Sequence, residues 1–522
     1  MALVFSSAQA RASDAYAIAT LGVPGLVLME NAGRGVVRAI RRALKARGKS
    51  LRASCITVVC GSGQNGGDGF VVARHLAILG ATVHVRLALP ENKVTGDALT
   101  NLMVLRRMRV VPVVDASDCL DQESWEASMA SAEVIVDAVF GTGLRSDVSG
   151  VPAVAIRAMN AVRAMRVSVD LPSGLDADSG QVRGVTVVAD LTVTMAARKL
   201  GLVLDAGVTV GQVAVVGLGV PAHQDQTLQP FAHWIEAEMV APWLPRFAVD
   251  AHKGTRGHLL LVAGSEGKTG AAALAGRAAM RAGAGFVTVA TTRAAQSAVD
   301  AKLWEVMSMA FTPSDDATAE SYEQLQLSLP RMKAVAIGPG IPIGPRMGEL
   351  VRKLVVQCTA PVVVDADALN LLGQDVALLQ NAAGPRVLTP HPAEMARLLG
   401  LTVGEVQKDR LLAVRTLAAK SNVVVVLKGA RTLVAEPDGT VYVNPAANPA
   451  LGTAGSGDVL TGVIGALLAQ GLSAVQAAVC GVFLHGMAGE DACRELEMQS
   501  LVAGDLPDAV ARVQANLIRN LG

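Results

Sequence analysis

The chain has 522 residues, with 46 Lys and Arg against 45 Asp and Glu, and its net charge of +1 excludes the basic footprint of a nucleic-acid-binding protein. Hydrophobic residues make up 51% and charged residues 17%, which excludes a disordered polymer and supplies large cores; at about 100–200 residues per domain, with α/β domains often larger, two domains are expected. No apolar run reaches the roughly 18–20 residues of a membrane span, and the six Cys (55, 60, 119, 358, 480 and 493) show no CxxC pair, so reduced thiols and a cytoplasmic protein are expected.

The opening "MALVFSSAQA" ends in A-x-A but lacks a basic leading segment, so it reads as the start of a helix and not as a signal peptide. Short β-branched runs then alternate with Ala-, Leu- and Arg-rich helical stretches. The runs lie at 56–60, 83–89, 134–140, 167–174, 191–196 and 213–219. Such alternation implies a mainly parallel sheet with helices on both faces. Burial on both faces explains the near-continuous apolar character of the strands. Ligands of such sheets gather beyond the carboxyl ends of the strands. Three of these ends are polar: "GSGQNGGDGF" at 61–70, "GTGLRSD" at 141–147 after Asp137, and Asp170 followed by Pro172, Ser173 and Gly174.

Residues 221–250 hold several Pro, Trp and His and interrupt the pattern. A linker over 223–245 is expected, separating domains at 1–222 and 246–522. The strand–helix pattern then restarts, with stretches at 257–272, 286–291, 334–340, 361–372, 386–400, 423–429 and 441–444. It closes with "NPALGTAGSGDVLTGVIGALLAQG" at 448–471, a second Gly-rich segment entering an apolar helix. The halves show no repeat of one another.

Glycines in the first polar segment let the backbone approach a ligand, and free N–H groups at a helix start suit phosphate. Asp68 argues against a loop that only grips phosphate. The oxygens of Asn65, Asp137 and Ser173 suit a hard cation, and a single ionised group among them favours a monovalent one over Mg²⁺. The bland alternative makes the segment a tight turn with Asp68 as a helix cap.

Four motifs in order, "LMENAG" at 28–33, "GSGQNGGDG" at 61–69, "VDAVFGTGL" at 136–144 and "VDLPSGLDAD" at 169–178, resemble the NAD(P)HX epimerase domain. The resemblance covers about residues 5–220, with Gln64 where that family usually has Asn. It implies substrate contacts at Gln64, Asn65, Gly66, Gly67 and Asp68, at Gly141, Thr142, Gly143, Leu144, Arg145, Ser146 and Asp147, and from Asp170. It implies K⁺ on Asn65, Asp137 and Ser173, and inversion at C6 of hydrated NADH or NADPH, with Asp170 as acid/base; capping the turn before Pro172 is the alternative for Asp170. Lys199 also matches a family position, with a salt-bridged surface Lys as its expected role.

In the second segment, "GTAGSGDVLTG" at 452–462, helix-start N–H groups form an anion hole and Asp458 sits where it can take a proton from a hydroxyl during phosphoryl transfer. Capping the helix is the plainer role for Asp458. No Walker motif is present. The segment resembles the ribokinase-like superfamily, and "HKGTRGHLLLVAGS", "DADALN", "LTPHPAE", "LKGART" and "NPALGTAGSGD" resemble its ADP- or ATP-dependent NAD(P)H-hydrate dehydratases over about 246–518. That implies substrate contacts at Ala271, Gly340, His391 and Asp458, and an adenine nucleotide on Lys428, Gly429, Ala430, Arg431, Thr432 and Gly457. His391 also reads as a neutral capping His, and Asp365 and Asp367 either hold Mg²⁺ through water or cap a turn.

Together the readings give an α/β chain of two three-layer αβα domains, Rossmann-like then ribokinase-like. The expected activity is a bifunctional repair of NAD(P)HX, with K⁺, Mg²⁺ and ADP or ATP as cofactors. The expected partners are NADHX or NADPHX and the nucleotide, in a homo-oligomer, without nucleic acid or membrane. The alternative is a ribokinase-like small-molecule kinase fused to a non-catalytic binding domain.

Overall fold

The computed structural model describes residues 2–205, 208–221, 231–248, 252–311, 323 and 325–521. It divides into two compact units, Ala2–Phe231 and Ala232–Gly522. The linker expected over 223–245 differs: residues 222–230 lie outside the described residues, but Ala232–Trp234 is already an edge strand of the second unit. Its three residues carry no period of their own and are fixed by pairing with a strand some 200 residues later.

In the first unit the strands are β1 (Ala2–Phe5), β2 (Cys55–Cys60), β3 (Thr82–Leu87), β4 (Val113–Asp115), β5 (Val134–Ala138), β6 (Met165–Val169), β7 (Leu191–Met195), β8 (Arg198–Lys199) and β9 (Gln212–Val216). Seven form one sheet in the order β4-β3-β2-β5-β6-β7-β9, every pair parallel. The two-residue side-chain period sorts the strands onto two cores. Ile56, Val58, Val134 and Val136 join the helices Gly25–Ala46, Gln64–Ile78 and Gly96–Met108. Val59, Ile135 and Val139 join the helices Gln122–Met129 and Gly150–Ala161. The unit is therefore a three-layer αβα sandwich. The helix read at the N-terminus begins at Ser7, behind β1, with a capping box between Ser6 and Gln9.

The second unit contains β10 (Ala232–Trp234), β11 (His258–Val262), β12 (Phe286–Thr292), β13 (Met307–Phe311), β14 (Ala334–Ile337), β15 (Val362–Val364), β16 (Arg386–Leu388), β17 (Val424–Leu427), β18 (Leu433–Ala435) and β19 (Val441–Val443). The order is β13-β12-β11-β14-β15-β16-β17-β18-β19-β10. Pairing is parallel from β13 to β17, and antiparallel at β17/β18 and β18/β19. One face of the sheet packs on the helices Thr269–Arg281, Ser456–Ala469, Ala474–Ala492 and Leu506–Leu521. The first two approach closely, since a Cβ at Gly462 would lie 2.1 Å from the Ala275 carbonyl oxygen. The alternate strand residues Leu260, Val335, Val362 and Val425 are equally buried, so the sheet is covered on both faces.

Candidate functional site

In the first unit the strand order reverses between β2 and β5, and doubly wound sheets bind ligands at that switch point. The Gly-rich segment after β2 is mostly helix and not loop. Only 61–63 connect, and residues 64–69 form the first turns of Gln64–Ile78, with extended Gly63 as N-cap. Glycine permits this: a Cβ at Gly66 would lie 2.0 Å from the Gly61 carbonyl oxygen. The first-turn N–H groups lack intrahelical partners and carry the positive end of the helix dipole.

A cavity of about 610 Å³ opens here, lined by Gln64, Asn65, Asp68, Gly141, Thr142, Gly143, Leu144 and Asp170, and by Asp14, Met29 and Lys199. Gly66 and Gly67 are buried behind this wall, Gly67 against Met29. Arg145, Ser146 and Asp147 are exposed and do not line it. The chain turns away after Leu144 because Val148 is buried and donates to the Arg183 carbonyl.

Asp170 directly follows β6 in left-handed backbone, φ 65°, a conformation costly for a non-glycine residue. Its Oδ1 accepts from Lys199 Nζ at 2.5 Å, Thr194 Oγ1 at 3.0 Å and the Met195 amide at 3.4 Å. Lys199 is salt-bridged but not at the surface: it is 3% exposed, and Nζ also donates to Thr194 Oγ1 and the Met195 carbonyl. Burial pushes the Asp14 and Asp68 carboxyls above the usual range, Lys199 opposing and Asp170 reinforcing.

Asp137 is fully buried on β5, and its oxygens accept from the Ser168 and Ser173 hydroxyls and the Ser173 and Val139 amides. Burial raises it, those bonds opposing. Among the described residues no basic side chain bonds to it. Asn65 is 8% exposed, and neither Oδ1 nor Nδ2 has a hydrogen-bond partner. Its Oδ1 and Asp170 Oδ2 would each lie 3.5 Å from a Cβ placed on Gly141.

In the second unit Gly455, left-handed at φ 89°, begins the helix Ser456–Ala469, and Asp458 is the third helical residue. Beside it Lys428 Nζ donates to Asp365 Oδ1 at 2.6 Å and lies 3.9 Å from Glu394 Oε2. Thr461 Oγ1 donates to the other Asp365 oxygen at 2.7 Å. A Cβ on Gly457 would sit 3.2 Å from Lys428 Nζ, so the helix start lies against this cation. Burial and then Asp365 push Asp458 up to about 7, with Lys428 pulling the other way. Burial alone would lower the Lys428 ammonium, but Asp365, Glu394 and Asp458 outweigh it and hold it above its ordinary value.

His391 does cap: its Nδ1 accepts from the Ala393 and Glu394 amides at the start of Pro392–Leu399, and burial and Lys428 push it down, toward the neutral ring. Asp365 caps nothing and belongs to the Lys428 pair, while Asp367 pairs with Lys268 at 3.0 Å. Gly340, left-handed at φ 65°, comes against Ala271 and Lys268. Residues 428–432 form the turn between β17 and β18, where Arg410 Nη1 donates to the Ala430 carbonyl and Thr432 Oγ1 to the Gly429 carbonyl. The Arg431 guanidinium is taken up by the Trp234 ring and the Pro445 carbonyl.

Among the described residues no three His, Cys, Asp or Glu side chains are grouped to hold a metal, and no helix is long and apolar enough to cross a membrane. Sequence reasoning did not find Asp14, Thr194, Thr461, Arg410 or His485. Only Thr461 stands inside a quoted motif, at 452–462, and none has a spacing signature. His485, half-buried and pushed down to about 4 by desolvation, bonds Ser456 at the start of the Asp458 helix.

Residues 259–512 match the NAD(P)H-hydrate dehydratase family model, and residues 25–201 that of the YjeF-related protein N-terminus. The bifunctional NAD(P)H-hydrate repair enzyme Nnr of Moorella thermoacetica is 42% identical over 511 residues, 97% of this chain and 95% of that one. Its Escherichia coli counterpart is 34% identical over 507 residues, covering 96% and 92%. A solved structure of the ADP/ATP-dependent NAD(P)H-hydrate dehydratase from Bacillus subtilis, co-crystallized with ATP/Mg²⁺, is 32% identical, with a TM-score of 0.49 over 55% of this chain and 99% of that one. The chain belongs to the family of bifunctional NAD(P)H-hydrate repair enzymes.

Proposed function

We propose that the first unit interconverts the R and S hydrates of NADH and NADPH, and that the second dehydrates the S hydrate at the expense of ADP or ATP. The observation that carries the second activity is Asp458, poised at about 7 at a helix start beside the Lys428–Asp365 pair. A base near the working pH is both ionised and able to hold a proton. Asp458 takes the proton of the C6 hydroxyl as its oxygen attacks the terminal phosphoryl group. Backbone N–H groups of the helix start and Lys428 stabilise the charge that develops. The ring nitrogen lone pair then expels phosphate, loss of a C5 proton restores the dihydropyridine, and AMP and phosphate remain from ADP.

Lys428–Thr432 and Gly457 form the nucleotide contacts of this reading, and Ala271, Gly340 and His391 the dinucleotide contacts. The nucleotide phosphates would carry Mg²⁺ into this site, where it would help neutralise the transferring phosphoryl group. In the first unit the buried oxygens of Asn65, Asp137 and Ser173 suit K⁺, which would supply a fixed positive charge at this end of the sheet. An epimerase in the same chain matches the stereospecificity of the dehydratase, because the R hydrate is otherwise lost.

Nucleotide-dependent recovery of absorbance at 340 nm from S-NADHX tests the dehydratase, and R-to-S conversion without nucleotide tests the epimerase. Phosphorylation of a small alcohol without recovery of NADH would replace the dehydratase reading by a kinase.

A further inference from the structure

Asp68 stands one helical turn after Asn65, so both side chains share a face of Gln64–Ile78 and both line the same cavity. The Asn65 amide is more than nine-tenths buried with both polar atoms unpartnered, which points to a polar ligand. Asn65 Oδ1 and Asp170 Oδ2 flank one point on the wall at Gly141. The two carboxyls differ in their partners. Asp170 gathers an ammonium, a hydroxyl and an amide on one oxygen. Asp68 makes no hydrogen bond or ion pair among the described residues.

We propose that Asp68 is the second catalytic carboxyl of the inversion, donating a proton to the ring nitrogen while Asp170 takes one from the C6 hydroxyl, so that R and S hydrates interconvert by opening and reclosing the N1–C6 bond. This rests on the epimerase reading of the first unit. Asp170 removes the hydroxyl proton and the O–H pair becomes the second bond of a C6 aldehyde. The N1–C6 bond breaks, its electron pair passes to N1, and the Asp68 carboxylic acid protonates N1. Rotation about C5–C6 presents the other carbonyl face. N1 then attacks it, returning its proton to Asp68 as the Asp170 acid protonates the oxygen. Nothing is oxidised or consumed. The groups facing Asp68 are Asp14, Asp170 and Lys199; burial and the two carboxylates favour its protonated form, and Lys199 opposes them.

The experiment follows S-NADHX carrying ¹⁸O at the C6 hydroxyl, incubated with the unaltered full-length chain in ordinary water without nucleotide. Ring opening carries the label into the R product at early times; a route through loss and re-addition of water discards it at every inversion. Asp68→Asn is expected to lower kcat for inversion by about 10²–10⁴-fold with little change in KM, and Asp68→Glu to recover part of it, each checked by its melting transition. Label loss, a normal rate in Asp68→Asn, or the whole effect appearing in Asp14→Asn instead overturns the proposal. Absence of any R-to-S conversion by the unaltered chain overturns the epimerase reading beneath it.

Discussion

Lys428 Nζ lies 2.6 Å from Asp365 Oδ1, and the charges of this pair act on Asp458 in opposite directions. Asp365 raises Asp458 and Lys428 lowers it, and with burial the balance falls at about 7. A base must be ionised to act, so kcat/KM for dehydration is expected to rise with pH through about 7 and level off above it. Asp365→Asn removes an anion and releases Lys428 from its partner. Both changes favour the Asp458 carboxylate, so the midpoint is expected to fall. A pH–rate profile of the variant on S-NADHX checks this, and an unmoved midpoint would show that another group governs the limb.

Each unit has its own core. One is built from residues between Ile235 and Leu517, and those of the other unit lie before Phe231. Separate expression of 1–221 and 231–522 is therefore expected to give two folded proteins with cooperative melting transitions. Keeping Ala232–Trp234 with the second piece matters, because it pairs with β19. Aggregation of both pieces would show that the cores depend on one another.

What was legible in the sequence follows from strand ends. Asp137, Asp170 and the segment 61–70 stand out in sequence as polar strand ends, and β2, β5 and β6 are adjacent in the sheet. Apolar strands buried on both faces make a polar residue at their ends conspicuous. What was not legible depends on pairing across sequence. Lys199 reads as a surface residue in sequence because its partner Asp170 lies 29 positions earlier, and that contact, with Thr194 and Met195, accounts for its burial. In sequence Asp365 suits a metal or a turn cap; in the fold Lys428, 63 positions later, and Thr461, 96 later, occupy its two oxygens. The Gly-rich segment has the composition of a turn, yet close packing of Gly66 on the Gly61 carbonyl requires glycine inside a helix. The expected linker end at 245 falls too late, because the three-residue strand Ala232–Trp234 carries no period of its own.

Asn65, Asp137 and Ser173 offer buried oxygens with one carboxylate and no basic partner among the described residues. A cation bound there compensates a charge whose burial is otherwise costly. R-to-S conversion is expected to rise with added K⁺ over a tetramethylammonium control at equal ionic strength, and Asn65→Ala to lower both the rate and its K⁺ dependence. Equal rates in K⁺-free buffer would remove the ion from the mechanism.

Asp458→Asn separates catalysis from stability in one variant. The amide keeps the size of the carboxylate but cannot accept the hydroxyl proton. Dehydration in a single turnover is expected to fall at least about 100-fold, the lower range of a general base. Nucleotide binding is expected to persist, since the helix-start N–H groups and Lys428 remain. Stability should move the other way. The folded-state value of about 7 is above the ordinary 3.8, so protonated Asp458 contributes stability that is complete below about pH 4 and lost as pH rises through about 7. Asn carries no charge to desolvate. The variant is therefore expected to melt higher than the unaltered chain at pH 8, with the gain shrinking toward pH 5. Normal dehydration by the variant would remove Asp458 from the base role. Loss of the rate with a lower melting temperature at pH 8 would mean that the carboxylate is held by partners stronger than Lys428.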